Sequence, residues 1–509
     1  MGGFKQFKME FGTLSLFVIL LGILIAFVVS PLIGVFMQTF FINGNPSLKY
    51  YELVFMFPEF REGAYYTFYS ALLTCLLTTL IGVPLAYFLT RYDFRGRSLL
   101  SVLSTIPLIM PPFVGALAFL MLLNPTSGLI NVLLRSLLGG QYGPIDIYWH
   151  LGAEWNILGL HIPVYIHLGI ILIQTLHLYP LIYLNVSTSL ANIDPSLEES
   201  AMNLGAKGLK IFKTITFPLI LPGYAAGLIL VFIWTISDLG TPLILGFYNY
   251  LPFTAWRMLP GGGAIGVAPV FGQIICMMLL VASMACLVSV RKYVSLRQYA
   301  IVGVARVAAK KVVGLKALVA LIFSASVIAL SLLPHFGIFY GTFVKPDGTL
   351  TLENIALVLT KDMYYFQNTF GYVSIATLFN VVLGILIAYL LLRKSFPGKD
   401  ILDVLSMLPF AIPGVVIGAA YFSIFTGQTV PTTKIPLMQL GIPLILAYIF
   451  RRIPYTVRTS YAALQQIHPD LEAAAMNMGA GRVRTVLSIT LPLMIKGIFA
   501  GTILAFINT

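Results

Sequence analysis

The sequence predicts an all-α polytopic membrane protein built from two parallel repeats of about six transmembrane helices each, the last repeat truncated. Three observations predict it. Hydrophobic residues make up 59% of the 509 and charged residues only 10%, where soluble domains carry roughly a quarter charged, so the chain belongs in a bilayer. Its Lys and Arg gather in short loops between apolar runs, as the positive-inside rule expects; this placement argues against nucleic acid as the reason for a net charge of +13. Finally, one polar segment occurs twice. LEESAMNLGAKGLKIFKTITFPLILPG at 197–223 returns as LEAAAMNMGAGRVRTVLSITLPLMIKG at 471–497, a constant 274 positions later.

A helix crossing ~30 Å of hydrocarbon takes about 20 apolar residues. The first candidate, 14–37, follows a basic head with Lys5 and Lys8. Its apolar run is longer than the 7–15 residues or so of a signal peptide and no A-x-A-like site follows, so it reads as a membrane helix whose N-terminus is cytoplasmic. The further candidates are 66–90, 99–123, 163–186, 223–247, 268–290, 313–335, 370–392, 401–426, 436–457 and a last one beginning near 496. Basic clusters fall in alternate loops, all on the side of the N-terminus: Arg91, Arg95 and Arg97; Lys207, Lys210 and Lys213; Arg291, Lys292, Arg297, Arg306, Lys310 and Lys311; Arg393, Lys394 and Lys399; Arg482 and Arg484. That side is therefore expected to be cytoplasmic. The loops 38–64, 124–160, 248–267 and 336–368 face outward and carry aromatics and Pro.

The repeat extends upstream of the polar segment. IGVPLAYFLTRYDFRG at 81–96 parallels LGILIAYLLLRKSFPG at 383–398, and LSTIPLIMPPFVG at 103–115 parallels LSMLPFAIPGVVI at 405–417, both with an offset of 302. By Pro180 and Pro454 the offset is 274, so the first half carries 28 extra residues, placed in the outer loop around 124–160. The expected organisation is an N-terminal helix and outer loop (1–64), a first half (65–292, polar loop 194–222), a linker with the seventh helix (293–364) and a second half (365–509, polar loop 468–496). From Lys496 to Thr509 only 14 residues remain, about 21 Å of helix and too short to cross. Repeat symmetry predicts that ~55 residues are missing there.

In the first polar loop Asp194 caps a helix that starts with Pro195, where a missing N–H costs nothing. Glu198 and Glu199 lie near its positive end, and Gly205 permits a bend. A second short helix, Leu209 to Thr214, ends before Pro218. The second copy rebuilds this with Pro469, Glu472, Gly479, Arg482, Arg484 and Pro492. By physics alone such a pair also suits an amphipathic hairpin lying on anionic lipid.

Both loops resemble the EAA loop of ATP-binding-cassette importer permeases. The second carries Glu472, Ala473, Ala474, Gly479, Ile489, Leu491 and Pro492; the first carries Glu198, Glu199, Ser200, Ala201, Gly205, Ile215, Phe217 and Pro218, with Glu199 in place of an Ala. The resemblance covers about 65–290 and 365–509. It implies a permease whose two loops dock on cytoplasmic ATPases, with Glu198 and Glu472 at that interface and Gly205 and Gly479 turning between helices. The chain contains no G-x-x-x-x-G-K-[ST], HExxH or G-x-S-x-G segment, so ATP is used by a separate subunit, one copy on each loop, and the chain is no enzyme and binds no cofactor or metal itself. A substrate-binding protein outside the membrane completes the implied assembly, in a prokaryotic cytoplasmic membrane. LPFAIPGVVIGAAY, SDLGTPLILG and RQYAIVG are similar to iron(III) importer permeases; thiamine, polyamine, phosphonate and other anion importers share much of the pattern.

Pro107, Pro111 and Pro112, with Pro409 and Pro413 in the second half, interrupt apolar helices. They read either as packing kinks or as pathway and gate elements, since broken backbone at membrane depth is tolerated beside a cavity or inside protein. Asp238 reads as the one intramembrane charge, lining the pathway or bonding a neighbouring helix. His161, His167 and His177 do not share one helical face, so interfacial or core positions suit them better than a metal relay. Cys75, Cys276 and Cys286 lack CxxC spacing and read as packing residues. An ion-coupled secondary transporter with parallel halves is the alternative; it needs paired intramembrane charges in both halves.

Overall fold

Proline and glycine decide where these helices bend and touch. The computed structural model describes residues 11–508 except 43, 125, 139–149, 158–159, 260–268, 296–308, 346–348, 430 and 432–433. Lys5, Lys8, Arg297, Arg306, Thr509, the stretch 297–303 and part of the outer loop 124–160 therefore lie outside the described residues. The described helices are α1 (Gly12–Phe40), α2 (Pro58–Arg91), α3 (Arg97–Leu108), α4 (Pro112–Leu123), α5 (Leu168–Ala191), α6 (Pro195–Asn203), α7 (Leu209–Ile236), α8 (Pro269–Ser295), α9 (Leu315–Phe343), α10 (Glu353–Arg393), α11 (Lys399–Ala411), α12 (Gly414–Phe425), α13 (Ile442–Gln465), α14 (Pro469–Asn477) and α15 (Arg482–Asn508), with shorter turns between them. Eight are long and apolar enough to cross a membrane, and two bent pairs raise the count to ten. The protein is an all-α, multi-pass membrane protein.

The bent pairs are α3–α4 and α11–α12, which turn by 102° and 105°. Pro107 sits in the last turn of α3 and Pro111 precedes α4, while Pro409 lies inside α11 and Pro413 precedes α12. A missing N–H and a ring that crowds the preceding carbonyl stop each helix at the same place in both repeats.

Four expectations need correction. The elbow after Gly205 does not end before Pro218: α7 runs as one 28-residue helix from Leu209 to Ile236. A π-turn at Phe212–Thr216 precedes the proline. The wider turn moves the carbonyls that the Pro218 ring would strike and that its absent N–H would leave unbonded. The second copy is alike, with a π-turn at Val486–Thr490 before Pro492. Hence the stretch from Lys496 is the end of α15, a 27-residue helix that passes the length and hydropathy test, and not a separate short segment. The fifth span likewise lies at Leu209–Ile236, not 223–247. Finally, the fourth span starts at Leu168, because 160–167 pairs with His150–Ile157 as an antiparallel hairpin.

The chain divides into two compact units that are discontinuous in sequence. One comprises 52–268 and 281–356, the other 1–51, 269–280 and 357–509. In the first-repeat unit the core gathers Leu85, Ala86, Tyr179, Ile182, Val186, Ile220, Val231 and Ile328 from α2, α5, α7 and α9. The second-repeat unit takes α1 and contains Leu464, Ile467 and Met494 packed with Tyr389 and Leu392. Small residues set the helix spacing in both. A β-carbon on Gly82 would lie 2.8 Å from the Ile182 β-carbon, and one on Gly384 would collide with Thr456, its repeat equivalent. Close approach of this kind lets helices associate where lipid supplies no hydrophobic drive.

Candidate functional site

The two polar loops fold alike from the residue upward. Asp194 accepts a hydrogen bond from the Ser196 N–H at 2.9 Å, and Pro195 opens α6. That bond holds the Asp194 carboxyl below the usual carboxylate range. In the second copy His468 takes the cap position before Pro469, accepting from the Asp470 N–H at a longer 3.4 Å. Both helices end alike. The Gly205 N–H meets the Met202 carbonyl and the Ala206 N–H the Ala201 carbonyl; Gly479 and Ala480 do the same with Met476 and Ala475. The glycines have φ of +83° and +89°, where an added Cβ is strained.

The glutamates turn inward. Glu198 Oε1 accepts from Arg91 Nη2 at 3.0 Å and from Thr216 Oγ1 at 2.8 Å. Glu472 Oε1 accepts from Arg393 Nε at 3.1 Å and from Thr490 Oγ1 at 3.0 Å. Each triad joins three elements: the loop helix, the C-terminal end of α2 or α10, and the π-turn near the start of α7 or α15. Side chains of the pairs are 8% and 19% exposed in the first, 10% and 11% in the second. Charges this far from water hold position only when paired and hydrogen-bonded, so the triad fixes the loop to two long helices at once.

The outward surface mixes exposed apolar side chains with polar ones such as Asn203, Lys207 and Lys210, or Asn477, Arg482 and Arg484. Leu197, Met202, Leu204 and Leu209 are exposed in the first loop, Leu471, Met476, Met478 and Val483 in the second, and each pair is 274 positions apart. Glu199, Ala473 and Ala474 share that exposed surface, whereas Ala201 and its equivalent Ala475 are buried. Pro218 and Pro492 lie just beyond the π-turns, within α7 and α15.

The remaining candidates sit elsewhere. Asp238 caps the short helix Gly240–Leu245: Oδ1 accepts from the N–H groups of Gly240 and Thr241 at 3.0 and 3.1 Å, and Oδ2 accepts from Gln174 at 3.1 Å. Pro107, Pro409 and Pro413 are buried at the bends, and Pro111 is exposed. His167 stacks on Phe247 with centroids 4.2 Å apart and shares a hydrogen bond with the Tyr250 hydroxyl, while His177 is buried inside α5; of His161 only the strand position is described. Among the described residues, no three of His, Cys, Asp and Glu gather as a metal site would.

Sequence reasoning missed four members of the triads. Arg91 and Arg393 read as loop charges at matching repeat positions, with no link to the glutamates, and Thr216 and Thr490 not at all. The signal was present, since both pairs repeat at the offsets of their surroundings, 302 and 274. Asp238 is also not alone: Arg451 and Arg452 lie halfway along α13, in the span expected at 436–457, although α13 is not among the helices apolar enough to cross.

Comparison with known proteins agrees with this duplication. The family described as binding-protein-dependent transport system inner membrane component matches residues 78–290 and 380–509, two segments whose starts are again 302 apart. The chain is 27% identical over 446 residues to the ferric transport system permease protein FbpB of Actinobacillus pleuropneumoniae, covering 85% of this chain and 61% of that protein. The sulfate transport system permease proteins CysT of Salmonella typhimurium and Escherichia coli are each 36% identical over 137 residues, 26% of this chain and 50% of theirs. The chain thus spans between half and two thirds of the length of these relatives.

Proposed function

The chain belongs to the family of binding-protein-dependent transport system inner membrane components, and we propose from that premise that it is a fused double permease of an ATP-driven importer. It forms the translocation pathway, receives substrate from a binding protein outside, and takes its power from two copies of a cytoplasmic ATPase, one under each polar loop. The placement of basic clusters supports a cytoplasmic side for both loops and for the N-terminus.

One observation carries the coupling reading. Four apolar side chains stand exposed at matching positions of each loop, three before the span and one at its first turn, beside a buried ion pair that ties the loop down. Exposed apolar side chains repeated at the same loop positions suit a docking face, and a loop held by an ion pair passes displacement to the helices it is tied to. Glu198 and Glu472 then act through Arg91 and Arg393 as positioning residues, while Leu204 and Met478 touch the ATPase. No bond of the substrate changes; closure of the ATPases moves the loops, and α7 and α15 follow. An ion-coupled transporter needs no such duplicated face.

Iron(III) is the substrate favoured by the relative that covers most of the chain, with sulfate the next candidate. The coupling test uses Leu204→Asp with Met478→Asp. Both side chains are more than four-fifths exposed, so fold stability should stay unchanged while co-purification of the ATPase and solute uptake are lost. Retention of both would sink the coupling reading.

A further inference from the structure

Two adjacent arginines stand in the middle of α13, ten and eleven residues into a helix of 24. α13 is not itself among the helices apolar enough to cross, but the 274-residue offset aligns it with α5, which is; a charge at the corresponding depth faces protein partners or water and marks a functional site by default. Carboxylate partners are missing among the described residues, and Tyr455 hydrogen-bonds Arg452. Among the described residues of the second-repeat unit the ion pairs are Arg393–Glu472, Arg458–Asp403 and His468–Asp470, and none involves Arg451 or Arg452. Arg452 has its guanidinium 6.0 Å from the Tyr455 ring centre, and its Nε is buried without a hydrogen bond.

Arg451 adds a second observation. Its guanidinium lies against the bend of the broken span, where a β-carbon on Gly414 would collide with it. Gly414 is the first residue of α12, a helix of 12 residues, so the cation sits at the end that already carries partial positive charge. Positive on positive, without a carboxylate among the described residues, is an arrangement completed by an anion. The repeat supplies the third observation. The position equivalent to Arg451 is His177, which also backs its broken span: it lines a small cavity with Pro107, Pro334 and His335, as Arg451 lines one with Pro31, Pro409 and Tyr421. His177 Nε2 is buried without a good partner. Each half thus places a nitrogen base in the cavity behind its bend, with no acid among the residues that line either cavity. The cavity beside Arg451 measures about 20 Å³, room for one water and not for a solute, so a passing anion meets the arginines on their accessible sides.

Resting on the permease reading, we propose that Arg451 and Arg452 form an anion-selecting step, and that the solute crosses as an anion: a free oxyanion, or a metal ion held in an anionic carboxylate chelate. A bare multivalent cation is repelled there.

The test uses the full chain in membrane vesicles, with Cys75, Cys276 and Cys286 replaced and Arg451→Cys introduced. Its thiol is treated with an anionic (ethylsulfonate) or a cationic (trimethylammonium) methanethiosulfonate, each rate normalised to a free thiol. With Arg452 present the anionic reagent should react about tenfold faster, and Arg452→Gln should erase the preference. Equal rates, or a faster cationic reagent, overturn the proposal. In cells, Arg452→Gln should cut uptake of labelled sulfate or labelled ferric citrate about tenfold while Arg451→Lys retains most of it; which label enters separates oxyanion from chelate. Uptake untouched by Arg452→Gln overturns the proposal. Anion-selective thiol chemistry in a chain that imports neither label upholds the anion site and counts against the permease reading alone.

Discussion

The two polar loops share a backbone but not a grip. In the first, Arg91 gives Glu198 one hydrogen bond and leaves its own Nε buried without a partner. In the second, Arg393 bonds Glu472 through Nε and spends Nη2 on the carbonyls of Leu464 and Ile467, at the end of α13. The second triad therefore ties in a fourth element. The difference teaches that duplication kept the acid, the base and the hydroxyl, while the satisfaction of the base diverged. The second loop is the stiffer anchor and the first the more compliant one.

Removing the acids is the strongest way to break that contrast. Glu472→Ala leaves a well-buried, otherwise fixed guanidinium uncompensated and should destabilise the fold by about 3–5 kcal/mol. Glu198→Ala acts on a more exposed pair whose base is already under-satisfied, and should cost about 1–3 kcal/mol. Denaturant unfolding of the two variants in detergent, read against the parent, gives the ranking; equal losses would remove the asymmetry. Next come the hydroxyls. Thr490→Val and Thr216→Val each delete one bond to a carboxylate, about 1–2 kcal/mol, with Thr490 the larger because its acceptor is more buried. The same unfolding assay decides, and a reversed order would place the stiffness in the first loop. The smallest effect belongs to the caps. The Asp194 carboxyl titrates below its usual value, so its cap is fully formed above the ordinary carboxylate range and fades as pH falls through the depressed value. Hydrogen exchange at the Ser196 amide should accelerate at that acid end, whereas the Asp470 amide, capped by an imidazole, should show no matching step there. Identical acid profiles for the two amides would contradict the cap assignment.

Much of this was legible without coordinates, for a local reason. Pro107, Pro111, Pro409 and Pro413 break their helices because a missing donor acts within one turn, and Asp194, Pro195 and Gly205 write cap, start and stop in the order the chain presents them. Three things were not. The Pro218 and Pro492 rings sit inside continuous helices because a π-turn, a choice of hydrogen-bond register, absorbs them; composition does not announce that choice. The Arg91–Glu198 bond closes over 107 residues, beyond any periodic signal, and only comparison of the two offsets singles out Arg91 and Arg393. Arg451 and Arg452 were overlooked because the apolar window around them still read as an ordinary span.

The π-turns have one more consequence. Because they let the loop run unbroken into α7, the helix behaves as a stiff spoke rather than a hinge-and-strut. Twenty-eight residues make a spoke of about 42 Å, and a tilt of about 5° imposed at its loop end sweeps the far tip by about 4 Å over that length. That is roughly the width of a water molecule and a half. A modest nudge at the loop end would thus be geared up along the helix, with Pro222 the interior position at which it could bend.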